Sequence, residues 1–263
     1  MTTDREIASG LVAAIDEGQA AVLVTVARTN RSVPRHAGAK MLVYADGRQL
    51  GTIGGGEMEA RVREASAELI TAGQSATIDY ELLDPARGDP GVCGGSVSVH
   101  LEVFMPQPHL VVVGCGHVGA AVIELAHWLG YRVTAIDDRL ELAHEDRLVD
   151  ADVVLNGQLE DSLRQAGIDE RTHVVLLTRN VGIDTEVLPF VIGSPARSIG
   201  VMGSARRWQT TRKKLLEEGV AADQLDRVVS PIGLNIAAET PAEIALSIMT
   251  ELVDLRRREP APQ

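Results

Sequence analysis

Two glycine runs, the charged side chains beside them and a pair of cysteines are the residues of this chain whose types and spacing suit them to chemistry. The first run is Leu110-Val-Val-Val-Gly-Cys-Gly-His-Val-Gly119, where Gly114, Gly116 and Gly119 stand in the G-x-G-x-x-G spacing of a phosphate-binding turn. In such a turn the first glycine makes the tight bend, the second lets the backbone approach a phosphate and the third lets a helix lie on the strand. The N-terminal amides of the helix predicted over residues 120–130 face the anion. His117 stands at that helix start, where its ring either touches a phosphate or covers the strand end. A second apolar run, Val133 to Ile136, ends on Asp137, at the roughly 20-residue distance expected of a ribose-binding acid. Arg139 then either pairs with Asp138 or meets a further phosphate. The other reading of the motif is a turn kept for packing, with nothing bound.

The second run, Gly54-Gly-Gly56, is predicted to end a strand and open a helix at Glu57, so its successive amides either line an anion-binding concavity or make a turn of unusual dihedrals. Glu59 falls in that helix's first turn, stabilising the helix dipole or accepting hydrogen bonds from a ligand's N–H groups. Arg35 and Lys40 are a cationic pair on a loop, suited to gripping an anion through Arg35's planar fork or simply to solvation. Cys93 sits among glycines that leave its sulfur open, whereas Cys115 lies inside the phosphate turn and is expected to be buried. Only an accessible thiolate ligates or accepts sulfur. Two cysteines are too few for a disulfide framework or a cysteine zinc site, and no paired-histidine spacing argues for a metal. No residue is assigned a catalytic role.

The elements that must position these residues fall into two groups. Helical periodicity over 6–16, a strand over 20–26, a hairpin from 40–44 and 49–53 around Ala45-Asp-Gly-Arg48, a helix over 58–69 and strands over 76–83 and 96–104 make a small α+β domain, residues 1–105. Met105-Pro-Gln-Pro-His109 reads as the linker. From 106 to 263, strand-like runs at 153–155, 173–177 and 198–202 alternate with helices, which is the pattern of a Rossmann-like, doubly wound parallel sheet, and the overall class is α/β. Thr240, Pro241 and Glu243 spell a capping box at the start of a last helix. The 263 residues, 45% apolar and 24% charged, suit a soluble protein with no membrane span and no signal peptide, so a cytoplasmic location is expected. A net charge of −12 argues against nucleic acid or an anionic membrane as partner. The basic cluster Arg206, Arg207, Arg212, Lys213 and Lys214 reads as a solvated helix face.

Taken together, Ser32-Val-Pro-Arg-His-Ala-Gly-Ala-Lys-Met41, Gly51-Thr-Ile-Gly-Gly-Gly-Glu-Met-Glu59 and Cys93-Gly-Gly95 closely resemble the N-terminal domain of the XdhC/CoxI family. Gly114-Cys-Gly-His-Val-Gly119, Asp137-Asp-Arg139, Gly200-Val-Met-Gly-Ser204 and the long segment Pro231 to Ile248 resemble the same family's Rossmann domain, in order and over nearly the whole chain. These are accessory proteins of xanthine dehydrogenase and carbon monoxide dehydrogenase. The resemblance implies a maturation chaperone, not a turnover enzyme, that binds molybdenum cofactor (molybdopterin, alone or nucleotide-extended) and delivers it in sulfurated form to a molybdenum hydroxylase. It also implies a homodimer and a cysteine desulfurase as partner. The ligand is expected between the small domain and the carboxyl ends of the sheet strands. Two departures stand out: many members carry cysteine where this chain has Gly56, leaving Cys93 for any thiol step, and Arg179 stands where members often have histidine. The alternatives are an NAD(P)-dependent oxidoreductase, supported by the turn and Asp137 but lacking an evident substrate-side acid or base, and an interaction scaffold that has lost its pocket.

Overall fold

The computed structural model describes residues 2–31, 33, 35–81 and 95–257. The chain divides into two compact units, Met1–Gln107 and Pro108–Gln263.

In the first unit, α1 (Asp4–Asp16) starts at Thr3, whose hydroxyl accepts from the Glu6 amide while the Glu6 carboxylate accepts from the Thr3 amide. It is followed by β1 (Ala21–Asn30), β2 (Lys40–Tyr44), β3 (Gln49–Gly51), α2 (Gly56–Ala72), β4 (Ala76–Glu81) and β5 (Ser96–Phe104). The strands form an antiparallel sheet in the order β3-β2-β1-β5-β4. Side chains alternate across a strand, and here both faces are covered. Val22, Val24, Val26, Met41 and Val43 pack with Met58 and Val62 of α2, whereas Ala21 and Leu42 pack with Ile7 and Ala14 of α1. The unbroken apolar run at the start of β1 follows from this double cover.

The second unit runs β6 (His109–Val113), α3 (His117–Trp128), β7 (Arg132–Asp137), β8 (Val153–Asn156), α4 (Leu159–Gln165), β9 (Thr172–Leu176), α5 (Val181–Gly193), β10 (Ser198–Val201), α6 (Ala205–Glu217), α7 (Ala222–Leu225), β11 (Val228–Val229) and α8 (Pro241–Arg257). All five strand pairings are parallel, and the order β8-β7-β6-β9-β10-β11 is that of a doubly wound Rossmann sheet. Leu110, Val112, Val133, Ala135 and Val175 face α3 and α8. Val111, Val113, Ile136, Val174, Leu176 and Ile199 face α4, α5 and α6. The chain turns away from β6 in one direction and from β9 in the other, so the crevice between their carboxyl ends is the switch point where such sheets bind ligands. The predicted elements are present within a few residues. His109, placed in the linker by its prolines, instead begins β6, and α3 starts at His117, three residues earlier than expected. The Thr240–Glu243 capping box forms as read. No described helix is long and apolar enough to cross a membrane.

Two buried histidines sit in the neighbouring strands β6 and β9. His109 places Nδ1 3.2 Å from Thr172 Oγ1 and Nε2 2.9 Å from Thr134 Oγ1, and His173 places Nδ1 2.7 Å from Ser198 Oγ. Burial, reinforced by nearby arginines, lowers both from 6.5 to about 4. The folded state therefore binds fewer protons than the unfolded one, so this stability is present above pH 6.5 and is lost as pH falls toward 4. Urea unfolding followed from pH 7.5 to 4.5 should show stability falling below the upper limit by up to about 1.4 kcal/mol per pH unit per histidine. His173→Gln should flatten part of that slope, and an unchanged slope would assign the acid sensitivity elsewhere.

Candidate functional site

The phosphate turn joins β6 to α3 and is held by close backbone packing. Gly114 has φ +106°, and a Cβ there would lie 2.6 Å from the Leu177 carbonyl oxygen. The turn is tied to the sheet by the Gly114 amide donating to Ile136 O (2.8 Å), while the Leu177 amide donates to Val113 O (2.7 Å). A Cβ on Gly119 would fall 2.0 Å from the Gly114 carbonyl oxygen, so helix and turn touch at that point. Gly116 is different: a Cβ there would meet nothing within 4 Å. It is the N-cap of α3 and brings no side chain to cap the helix amides, and His117 beside it is exposed. Two glycines of the motif thus serve the fold, and the third leaves space beside a helix start.

At the end of β7, Asp137 is buried, with 2% of its surface exposed. Its Oδ2 accepts from the Cys115 amide at 2.7 Å and from Arg139 Nη2 at 2.9 Å, and its Oδ1 accepts from the Arg139 amide at 3.0 Å and Nε at 2.9 Å. Of the two readings of Arg139, the pairing with Asp138 is present only as a long contact of 3.8 Å: the guanidinium grips Asp137 instead, whose carboxylate its planar fork matches bidentately. Asp138 is taken instead by Arg179, at 2.8 and 2.7 Å, and hydrogen bonding to that guanidinium lowers its pKa to about 2. The two pairs line a small cavity of about 10 Å³ together with Val113, Gly114 and Ile183. Cys115 is fully buried, its Sγ 3.5 Å from Ile136 O, and burial pushes the thiol up to about 12.

The sequence reading missed a third acid–base cluster. Asp184, in the first turn of α5, is 0% exposed and accepts from Arg207 Nε at 2.9 Å and from Nη2 at 2.8 Å, as well as from the Thr178 hydroxyl. Arg207 Nη1 also donates to Thr178 O at 3.0 Å. Arg207 therefore turns inward and leaves the solvated face to which its basic neighbours assigned it. The available signal was periodicity: Asp184 heads the apolar stripe Val187, Leu188 and Val191, an inward-facing position that an acid holds only with a partner. Thr178 and Arg179 lie next to Leu177, so the pair anchors the segment that closes on Gly114.

In the first unit, Gly54, Gly55 and Gly56 have φ of +139°, +79° and +71°, a succession that only glycine takes without strain. Their concavity holds the chain's own Glu59. Its Oε1 accepts from the amides of Ile53 (3.0 Å), Gly54 (3.2 Å) and Gly55 (2.8 Å) and from the Thr52 hydroxyl, and Oε2 accepts from Gln49 Nε2 (3.2 Å). Burial opposes ionisation, but the hydrogen bonds from Thr52, Gly55, Gln49 and Ile53 outweigh it and hold the Glu59 pKa below its usual value. The helix opens at Gly56, one residue earlier than read, and Glu59 faces inward and does not wait on a ligand. Lys40 Nζ donates to Gly38 O at 3.1 Å and lies 3.4 Å from Asp4, and Arg35 is half-buried. Cys93 lies outside the described residues.

The second unit's strand order and its glycine turn define a Rossmann-type protein, with a separate α+β unit before it in the sequence. Residues 110–252 match the XdhC Rossmann domain and residues 14–81 match the XdhC and CoxI family, so the chain belongs to that family. Among its relatives, the uncharacterized protein YqeB of Escherichia coli is 33% identical over 87% of this chain, which spans only 42% of that protein's length. A probable xanthine dehydrogenase subunit of Bacillus subtilis is 23% identical over 94% of this chain and 97% of its own. The molybdenum cofactor insertion chaperone PaoD of Escherichia coli is 25% identical over 96% of this chain and 88% of its own. The same fold is seen in a crystal structure described as a xanthine dehydrogenase from Bacillus halodurans, 21% identical, covering 96% of this chain and 97% of the other with a TM-score of 0.53.

Two substitution pairs separate support from site. Gly119→Ala should cost about 2–3 kcal/mol in urea unfolding, because its methyl meets backbone, whereas Gly116→Ala should stay within about 0.5 kcal/mol. Glu59→Ala should cost about 3 kcal/mol and Glu59→Gln about half of that, since glutamine keeps an acceptor but not the charge. Equal costs within either pair would contradict the assignment.

Proposed function

We propose that this protein is a maturation factor that binds molybdenum cofactor as cargo and hands it, sulfurated, to a molybdenum hydroxylase of the xanthine dehydrogenase or carbon monoxide dehydrogenase type. The observation that carries the reading is the open position at Gly116: a glycine N-cap at the start of a 12-residue helix, with free space beside it, at the switch point of a chain belonging to this family. The cofactor's phosphate, or a pyrophosphate where it is nucleotide-extended, is the group such a helix start binds. PaoD bears the name of a molybdenum cofactor insertion chaperone, which supports the cofactor-insertion role, and the Bacillus subtilis relative is named as a probable subunit of xanthine dehydrogenase, the enzyme type proposed as client. In this reading the protein performs no turnover of its own. It works in the cytoplasm as a homodimer and receives sulfur with the help of a cysteine desulfurase. Any thiol-dependent step falls to Cys93, because the chain has two cysteines and the other, Cys115, is buried and protonated.

The test is anaerobic incubation of the purified protein with molybdenum cofactor, measuring retained molybdenum and pterin beside NAD(H) binding by calorimetry. Retention of molybdenum and pterin is expected, and Gly116→Val should weaken it about tenfold, equivalent to roughly 1.4 kcal/mol, by filling the space where phosphate meets backbone. Tight NAD(H) binding with turnover and no retained molybdenum would overturn the reading. Cys93→Ser should bind cofactor but activate an apo-hydroxylase poorly, and full activation would remove the thiol from the mechanism.

A further inference from the structure

Asp137 stands where an acid at the end of the second Rossmann strand ordinarily reads a ribose diol. Reading a diol requires carboxylate oxygens with acceptor capacity to spare. An ionised carboxylate offers about four acceptor positions. In Asp137 two are taken on Oδ1 by the Arg139 amide and Nε, and two on Oδ2 by the Cys115 amide and Arg139 Nη2. A diol that displaced Arg139 would exchange a bidentate ion pair, with its matched fork geometry, for hydrogen bonds from two uncharged hydroxyls and would leave the guanidinium without its partner. What the carboxylate does instead is hold the turn. It fixes the amide of Cys115, between the first two glycines of the motif, while Arg147 Nη1 holds the carbonyl of the same residue at 2.9 Å. With both polar groups of that peptide residue anchored, Gly116 and the start of α3 are set in place.

We infer that Asp137 is a positioning residue of the phosphate turn and not a reader of ribose, so that the ligand of this turn is recognised through its phosphate and independently of any ribose diol. This rests on the proposed reading that the turn holds the ligand's phosphate, and it names the ligand class as phosphate and pyrophosphate esters irrespective of the sugar. The inference also removes the main support for a nicotinamide-dependent oxidoreductase.

Calorimetry on the full chain with inorganic pyrophosphate, ADP and 2′,3′-dideoxy-ADP tests it. The two nucleotides should bind within about twofold of each other, where a diol read by a free carboxylate gives a difference of about tenfold or more. Arg139→Gln should then create discrimination: with two acceptor positions released, ADP should exceed its dideoxy analogue by about tenfold, a gain that a purely structural pair would not produce. Asp137→Asn, which keeps an acceptor for the Cys115 amide, should raise pyrophosphate affinity about threefold or more by removing a negative charge and freeing Arg139. Strong diol discrimination by the parent, or an unchanged ratio in Arg139→Gln, overturns the inference alone. Failure of all three compounds to bind saturably overturns it together with the phosphate reading of the turn.

Discussion

The second unit is organised around one close approach, that of Gly119 to the carbonyl of Gly114. With only 2.0 Å between that oxygen and the place a Cβ would occupy, the first turn of α3 is pressed against the end of β6. The contact fixes where the helix begins and the direction in which its first amides point. The Leu177 carbonyl closes on Gly114 from the β9 side, and the Arg207–Asp184 pair anchors the residues that follow it. Strand and helix are thereby located by contacts at Gly114 and Gly119 that admit no side chain, and Gly116 keeps the space that the others lack.

Electrostatics completes the arrangement by internal pairing. Each acid near the turn has an arginine: Asp137 with Arg139, Asp138 with Arg179, Asp184 with Arg207. In a chain of net charge −12 this matters, because unpaired carboxylates at the carboxyl ends of the strands would repel an anionic ligand. The pairs also differ in character. Asp184 is wholly buried and its loss would strand a guanidinium, whereas Asp138 and Arg179 are partly exposed and their attraction is weakened by solvent.

Periodicity and turn chemistry made the architecture readable. Alternating apolar runs and the G-x-G-x-x-G spacing pointed to the doubly wound sheet, and Thr240, Pro241 and Glu243 marked the last helix. What sequence alone left undecided was the choice of partner among adjacent charges. Asp137, Asp138 and Arg139 are consecutive, and nothing in their order says that the arginine turns back two residues or that Arg179, 41 positions from Asp138, takes the other acid. Glu59 was likewise placed in the right turn of the right helix, but whether it faced outward or into the glycine concavity depended on three consecutive left-handed dihedrals. Arg207 was hidden by its basic neighbours, since composition averages over a helix and burial does not.

The Glu59 arrangement changes what kind of place the glycine run is. A carboxylate tethered four to six residues from the amides it binds acts at an effective concentration that short links set in the millimolar range or above. Free phosphate or any other dissolved anion must compete with that built-in occupant, which is never diluted away. The concavity is thus a joint between β3 and α2 that the chain's own carboxylate fills, while Gly116 at the open helix start in the second unit brings no side chain of its own.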